Sequence, residues 1–276
     1  MATGWSASRI PLAGRSLRCH QPDQCLHGRT ASTATAWHRA RPRRIAEYLA
    51  IMLADGGEAI ADLALLRDQA EVFGPVASTP TAWRLLAGID SAALARLRSA
   101  RATAREVVWL QAAETTAGIP AARAGGRDLP GLVLDLDATL VTSHSEKEQA
   151  AATYKRGFGY HPLLCFLDNT GEALAGVLRP GNGGANTAAD HITVLDQALA
   201  QIPDAHRHGT RILIRADSAG GAKVFLRHIR TLHSRGILTC FSVGYPVTEP
   251  VRRTIRALPE QVWHPALEQR RVWPVA

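Results

Sequence analysis

Residues 131–137 read GLVLDLD, and this stretch decides the fold. A short apolar run of leucine and valine that follows Pro130 and Gly131 is typical of a buried β-strand. The run ends in two acidic residues, Asp135 and Asp137. Because a carboxylate at the edge of a core is costly unless it is paired or bound to a cation, we predict that this strand carries a charged site at its carboxyl end.

A second apolar strand, residues 211–217 (RILIRAD), also ends in an aspartate, Asp217. Changes in hydrophobic periodicity place the other elements around these two strands. The predicted elements are, in chain order, strands at 131–137, 163–168 and 173–179, a helix at 188–202, a strand at 211–217, a helix at 220–235 and a strand at 238–243. Three antiparallel strands followed by alternating helices and strands are the layout of a ribonuclease-H-like core. We therefore predict an α/β fold with such a core.

The chain in front of the predicted sheet has helical periodicity. Ile45, Tyr48 and Leu49 begin an i, i+3, i+4 pattern that ends at Gly56 and Gly57, and further helical patterns follow. We therefore expect a small all-helical domain before the core. The predicted organisation is an atypical or disordered segment at 1–41, a helical domain at 42–117, a linker at 118–130, the ribonuclease-H-like core at 131–248 and a last segment at 249–276.

The composition favours a polyanion as partner. The sequence has 32 Lys and Arg against 24 Asp and Glu, which gives a formal net charge of +8. Since each phosphate contact releases condensed counterions, this surplus favours binding to nucleic acid. We find no secretory segment and no apolar run that could span a bilayer, so we expect a cytoplasmic protein. Cys19 and Cys25 match no common zinc-ligand spacing.

The two strand-end aspartates predict a metal site. If the two strands are neighbours, Asp137 and Asp217 come within bridging distance of one Mg²⁺, which prefers carboxylate and water oxygens. Two such ions can activate a hydroxyl group and stabilise the leaving oxygen of a phosphodiester. The alternative is that these residues are polar strand ends in turns, as we expect for Asp168. Two strand-end carboxylates in this topology favour the metal site.

Several short motifs follow one another along the chain. In the predicted core they are residues 134–141 (LDLDATLV), 147–148 (KE), 154–162 (YKRGFGYHP), 179–182 (RPGN), 214–220 (IRADSAG) and 241–244 (FSVG). In the helical front they are residues 52–57 (MLADGG), 62–69 (DLALLRDQ) and 73–78 (FGPVAS). Together these motifs resemble the DDE transposases of bacterial insertion sequences, and most closely insertion sequence family 1380 with its group-one DDE transposase domain. The resemblance covers about residues 43–270.

The resemblance implies a function in DNA transposition, with cleavage at transposon ends and transfer of the freed 3′-hydroxyl to target DNA. It implies Asp137 as the first catalytic aspartate and Asp217 as the second, with Mg²⁺ or Mn²⁺ as cofactor. Asp135 is a secondary candidate for a metal ligand. Three residues of a glycine-punctuated loop are candidate DNA contacts, namely Lys155, Arg156 and His161. DNA is the implied partner, a homodimer in the DNA complex is an expectation, and we expect the protein in the cytoplasm at the nucleoid.

One feature departs from the family pattern, in which a glutamate on a later helix completes the triad. Glu249, Glu260 and Glu268 follow Asp217, but none falls in a convincing long helical pattern. We therefore interpret residues 249–276 as the start of a truncated insertion region, and the chain as a truncated copy with reduced or no activity. The sequence leaves open whether the chain is an active enzyme.

Two other functions compete with transposition. In a haloacid-dehalogenase-like phosphatase, Asp135 would attack phosphorus and Asp137 would act as general acid and base. Against it, the motif follows a helical domain and precedes an apparent antiparallel hairpin. The second alternative is a non-catalytic DNA-binding remnant of a transposase. Its candidate phosphate contacts are Arg84, Arg96, Arg98, Arg101 and Arg105.

Overall fold

The structure is a computed structural model that describes residues 42–115, 118–124, 126–143, 146–184 and 187–263. It divides into two compact units between Arg96 and Leu97, and each is described by itself. The predictions for residues 1–41, for Cys19 and Cys25, and for Glu268 lie outside the described residues.

The first unit is helical, as the sequence predicts. Its elements are α1 (Pro42–Ala54), a 3₁₀ turn (Ile60–Asp62), α2 (Leu63–Arg67), α3 (Ala70–Phe73), α4 (Thr79–Ala87) and the beginning of α5 (Ser91–Ala113). The residues of α1 at helical spacing pack against α2 and α4. The buried members of this core are Ile45, Tyr48, Leu49, Met52, Leu63, Leu66 and Ala82. The apolar stripe read from the sequence is therefore the buried stripe of the helix.

The second unit combines strands and helices. Its strands are β1 (Ala122–Ala124), β2 (Arg127–Leu129), β3 (Leu132–Ala138), β4 (Val141–Thr142), β5 (Ala151–Ala152), β6 (Phe158–Tyr160), β7 (Leu163–Leu167), β8 (Glu172–Val177), β9 (Ile212–Ala216) and β10 (Thr239–Val243). Its helices after α5 are α6 (Ala188–Leu199), α7 (Asp204–Gly209), α8 (Lys223–Thr231) and α9 (Glu249–Arg256). Short 3₁₀ turns cover Ser218–Gly221, Leu232–Arg235 and Glu260–Val262.

Five strands form the central mixed sheet, in the order β10-β9-β3-β7-β8. Strand β7 pairs antiparallel with both β3 and β8, whereas β9 pairs in parallel with both β3 and β10. Helix α6 connects β8 to the parallel half of the sheet, and α8 connects β9 to β10. Each of the five predicted strands is present within two residues of its predicted ends.

The core of the second unit lies on one face of this sheet. Alternate residues of β3 and β9, such as Leu134 and Ile214, are fully buried in one cluster with residues of α6 and α8. Because side chains alternate along a strand, Asp135, Asp137 and Arg215 face the opposite side. A single sheet face therefore collects the charged residues of the two central strands.

The entry into β3 depends on a glycine. Gly131 has φ +88°, and a Cβ built there would lie 2.2 Å from the carbonyl oxygen of Arg211. Leu132 donates its backbone N–H to that same oxygen at 2.9 Å. A side chain at position 131 would therefore prevent the close approach of β3 to β9.

Two small antiparallel sheets were not predicted from the sequence. The hairpin of β1 and β2 occupies part of the range assigned to a linker, and β4, β6 and β5 form a three-stranded sheet between β3 and β7. Strands of two or three residues are too short to show a periodicity of two. Among the described helices, none has the length and apolar character needed to cross a membrane.

Candidate active site at the carboxyl end of the sheet

The two predicted catalytic aspartates follow paired positions of neighbouring parallel strands. Leu136 of β3 is the register partner of Ala216 of β9, and Asp137 and Asp217 are the next residues of the two chains. One step earlier, the register partners Asp135 and Arg215 form an ion pair on the face away from the core. Strand alternation puts Asp137 on that same face, and Asp217 directly follows β9 at the same end of the sheet.

Both aspartates are exposed, and each has a free carboxylate oxygen. Oδ1 of Asp137 accepts a hydrogen bond from the N–H of Ala138 at 2.8 Å. Oδ1 of Asp217 accepts from the N–H of Ala219 at 2.8 Å and caps the 3₁₀ turn that follows. Within the described residues, Oδ2 of both side chains has no hydrogen-bond partner, and neither aspartate forms an ion pair. The site therefore presents two uncompensated negative charges to solvent.

A second glycine shapes the turn after Asp217. A Cβ on Gly220 would lie 2.4 Å from the Cβ of Ala216, the last residue of β9. The chain can therefore turn back tightly over the strand end only because residue 220 lacks a side chain. This turn holds the Asp217 carboxylate at the carboxyl end of β9 before α8 begins at Lys223.

Asp135, the secondary metal candidate, has a different environment. Arg215 donates from Nε and Nη2 to the two oxygens of Asp135 at 2.6 Å each. The same Nη2 lies 3.2 Å from Oδ2 of Asp168. The hydrogen bond to Asp135 is the main reason why the pKa of Arg215 is raised above its usual value. Because both oxygens of Asp135 are engaged, its placement does not fit a metal ligand.

Arg215 is the site residue that sequence reasoning missed. It occurs in the motif at 214–220, two residues before Asp217. An arginine inside an apolar strand does not by itself indicate a functional role. Its bidentate geometry depends on the register between β3 and β9. Asp168, which the sequence analysis assigned to a turn, is the second carboxylate of this cluster.

The three predicted DNA contacts have two different environments. Lys155 and Arg156 are exposed at the tip between β5 and β6, where Arg156 adopts φ +63° in a turn closed by Thr153 and Gly157. His161 is buried with 3% exposure, and its Nδ1 lies 2.9 Å from the carbonyl oxygen of Gly183. The expected phosphate contact by His161 does not fit this placement, whereas Lys155 and Arg156 are accessible.

The later glutamates do not complete a three-carboxylate cluster in the described part of the chain. Glu249 begins α9, an eight-residue helix without buried residues, and Glu260 begins a 3₁₀ turn. Among the described residues, no group of three or more Asp, Glu, His or Cys side chains is close enough to hold a metal ion. Asp137 and Asp217 are therefore the carboxylates that this site offers within those residues.

Two of the arginines proposed as phosphate contacts, Arg101 and Arg105, instead form hydrogen bonds to other residues of the second unit. Arg105 is buried, donates from Nε to Glu172 at 2.9 Å, and donates from Nη1 to the carbonyl oxygen of Gln201 at 2.7 Å. Arg101 donates to the carbonyl oxygen of Ala173 at 2.7 Å. These contacts join the second half of α5 to β8, although the sequence analysis assigned all of α5 to the helical front.

Comparison with known families identifies the chain. The sequence profile of the family described as Transposase DDE domain group 1 matches residues 20–275. The chain belongs to this family. No curated protein sequence matches it.

Several solved structures are similar to this transposase domain at a low level. The Mos1 transposase paired-end complex with left transposon end has 12% identity and a TM-score of 0.26, over 79% of this chain and 60% of that chain. The Mos1 mariner paired-end complex with Mn has 11% identity and a TM-score of 0.26, over 85% of this chain and 75% of that one. The complex with Mg has 15% identity and a TM-score of 0.23, over 74% and 61%. The transposase domain thus spans 60% of the first of these proteins.

The family excludes the phosphatase alternative. Two structural observations agree with this exclusion: β3 pairs antiparallel with β7, and Asp135 is held in a bidentate ion pair. A phosphatase nucleophile at position 135 would need a free carboxylate oxygen to attack phosphorus. Family membership therefore supports transposition over the phosphatase that the sequence analysis kept as an alternative.

Proposed function

We propose that this chain acts in DNA transposition by divalent-metal-dependent cleavage and strand transfer at the ends of an insertion sequence of family 1380, on a ribonuclease-H-like core. The main support is the parallel register of β3 and β9, which continues from Leu136 and Ala216 to Asp137 and Asp217. Family membership supports the reaction class. The order of the motifs, from LDLDATLV to FSVG, supports the narrower family.

The donor set fits Mg²⁺ or Mn²⁺. Asp137 and Asp217 are exposed at the carboxyl end of two interior strands and offer hard oxygen ligands with unengaged Oδ2 atoms, and these metals combine few carboxylates with several waters. When bound, the ion would activate the attacking hydroxyl group and stabilise the leaving oxygen of the phosphodiester. Two carboxylates alone hold such an ion weakly, so we expect low metal affinity in the absence of DNA.

The ion pair of Asp135 and Arg215 positions the two aspartates. Each partner lies two residues before an aspartate of the site, on the same sheet face. Its two hydrogen bonds of 2.6 Å fix the side chains of neighbouring strands relative to each other. The pair also neutralises one carboxylate, so the negative charge is concentrated at Asp137 and Asp217.

The nucleic-acid partner is DNA, and the tip between β5 and β6 supports a contact with it. Lys155 and Arg156 are exposed there, beside Tyr154 with 70% exposure. The tip belongs to the small sheet that begins with β4, directly after β3 and Asp137. We propose that these two cations contact phosphates near the cleaved bond.

Nicking of supercoiled plasmid in Mg²⁺ or Mn²⁺ tests the proposal, together with metal binding measured by Mn²⁺ electron paramagnetic resonance. The full chain is compared with Asp137→Asn, with Asp217→Asn and with the control Asp128→Asn. Asp128 is an exposed aspartate that pairs with Arg123 on the hairpin before β3. We expect nicking and Mn²⁺ binding in the wild type and in the control, and loss of both in the two site variants.

The outcomes distinguish transposition from the alternative of a non-catalytic DNA-binding remnant. Nicking that persists in both site variants refutes the proposed catalytic residues. DNA binding without metal-dependent nicking in the wild type would favour the non-catalytic remnant. That outcome combined with Mn²⁺ binding would assign Asp137 and Asp217 to a metal site that does not cut by itself.

A further inference from the structure

The charges of the two helices that cover the sheet have opposite signs. Both helices pack on the core face, α6 against β7 and β8, and α8 against β10. The charged residues of α6 are Asp190 and Asp196, whereas α8 carries Lys223, Arg227 and Arg230 and has no acidic residue. The sequence from residue 218 to residue 248 contains no Asp or Glu at all. An anionic partner would therefore approach α8 rather than α6.

The three cations of α8 lie on one side of the helix. Their spacing of four and then three residues corresponds to one helical face, while Phe225, Leu226 and Ile229 are buried on the other. All three cations are exposed. At 1.5 Å per residue they extend over about 10 Å, which corresponds to about three nucleotide rises of 3.4 Å along the axis of a DNA duplex.

Few internal contacts engage these three cations, so their charges are available to a partner. Within the described residues, Lys223 and Arg227 form no side-chain hydrogen bond or ion pair, and Arg230 only stacks on the ring of Phe241 at 5.6 Å. The helix dipole favours cations in a last turn and disfavours them in a first turn. It therefore accounts for Arg230 but not for Lys223, which opens the helix.

The position of α8 connects this face to the candidate active site. The 3₁₀ turn Ser218–Gly221, which Asp217 caps, leads directly into α8. Tyr245, which follows β10 at the same end of the sheet, donates its hydroxyl to the carbonyl oxygen of Gly221 at 3.2 Å. The cationic face thus begins six residues after Asp217 in the chain, at the carboxyl end of β9, and continues away from that strand end.

We infer that Lys223, Arg227 and Arg230 form a track for the phosphate backbone of duplex DNA that leads away from the bond cut at Asp137 and Asp217. This inference rests on the proposed function and adds the path of the substrate. The contacts are to phosphates, so they contribute affinity and position without reading sequence. Their contribution must therefore appear as salt dependence.

The test measures binding of the full chain to a random-sequence 30-base-pair duplex in EDTA, from 50 to 200 mM salt. Each lost phosphate contact lowers the slope of log K against log salt by about 0.9. The double variant Arg227→Gln/Arg230→Gln should lose about 1.8 from this slope. Between these salt concentrations, the wild-type affinity should then fall about 12-fold more than that of the variant.

Two matched variants control for charge and for folding. Arg127→Gln/Arg211→Gln removes two exposed cations at the opposite end of the sheet, and its slope should equal that of the wild type. Arg227→Lys/Arg230→Lys retains the charge and should keep the wild-type slope. An unchanged slope in the α8 double glutamine variant, an equal loss in the opposite-end variant, or a loss in the lysine variant would each overturn the inference.

The proposed function and this inference fail separately. Binding in EDTA does not involve the metal, so the slopes test the track alone. Nicking by the Asp137 and Asp217 variants tests the chemistry alone.

Discussion

Asp135 and Asp137 lie two residues apart on one strand and face the same side of the sheet, yet their environments differ. Across the strand pair, Asp135 meets Arg215, whereas Asp137 meets the position of a second aspartate, Asp217. The charge of Asp135 is neutralised by its bidentate ion pair with Arg215. Asp137 and Asp217, by contrast, carry like charges, which repel each other unless a cation lies between them. The difference shows that the neighbour across the register, rather than the residue type, separates a structural carboxylate from a candidate ligand.

The largest effect is expected when one of the two unpaired carboxylates is removed. Asp217→Asn should lower Mn²⁺ affinity and plasmid nicking by more than about 100-fold, because loss of a ligand exceeds the 10–100-fold effect of outer-shell changes. The free energy of unfolding should not fall, because the repulsion between the carboxylates of Asp137 and Asp217 disappears. Thermal unfolding checks the stability, and a variant that binds Mn²⁺ normally would contradict the assignment.

A change in the geometry of the Asp135–Arg215 ion pair tests the same comparison from the other side. Arg215→Lys conserves the charge but cannot donate two hydrogen bonds in the planar geometry that Asp135 accepts. We expect a loss of about 1 kcal/mol in unfolding free energy and a loss of about 10-fold in Mn²⁺ affinity. Mn²⁺ titration and urea unfolding measure the two effects.

Arg211→Lys provides the control, because Arg211 precedes the same strand at its opposite end and is exposed. If Arg215→Lys lowered stability while Mn²⁺ affinity stayed at the wild-type value, the ion pair would stabilise the sheet without positioning the aspartates.

A third carboxylate, Glu172, shows how a paired acid responds to pH. Burial raises its pKa, but the hydrogen bonds and charges of Arg105 and Arg101 outweigh burial, so the pKa lies below its ordinary value of 4.5. A lowered folded pKa gives stability that is present above pH 4.5 and is lost as the pH falls through the folded pKa. Glu172→Gln should cost about 1 kcal/mol at pH 7.

The same variant should lose less stability than the wild type when the pH is lowered from 5 to 3. Urea unfolding at both pH values measures this difference. Parallel pH dependence in the two proteins would contradict the role given to Glu172.

The smallest expected effect compares a cysteine of the interior strand β7 with a cysteine of the edge strand β10. Burial raises the pKa of the Cys165 thiol, with a further contribution from the charge of Asp135, whereas Cys240 on the edge strand β10 is exposed. Iodoacetamide at pH 8 should therefore alkylate Cys240 and leave Cys165 unmodified in the native protein. Peptide mass spectrometry reads both sites, and rapid labelling of Cys165 would show that the core face is open.

Sequence patterns were sufficient for the large elements. The five strands of the central sheet and the helices α1, α6 and α8 have strong periodicity, because each buries an apolar face. The two-residue and three-residue strands β1, β2, β4, β5 and β6 are too short for such a signal. Their pairing depends on glycines and close backbone contacts such as that of Gly181, whose Cβ would lie 2.2 Å from the carbonyl oxygen of Ala151.

The candidate site was predictable only in part. Asp137 and Asp217 stand at the ends of apolar strands, which is a local signal, so both were identified from the sequence. The burial of His161 and the engagement of Asp135 depend on residues 18 to 80 positions away, namely Gly183, Arg179 and Arg215. Contacts at such separations leave no mark in a local pattern.

The sequence by itself determined the apolar strands and the carboxylates at their ends, because these follow from periodicity and residue type within single elements. Only the tertiary structure decided which charges are compensated. Parallel pairing of β3 with β9 sets Arg215 opposite Asp135 and carries Asp217 to the level of Asp137. Since electrostatic compensation falls off with distance between side chains rather than along the chain, it becomes visible only when the strands are placed side by side.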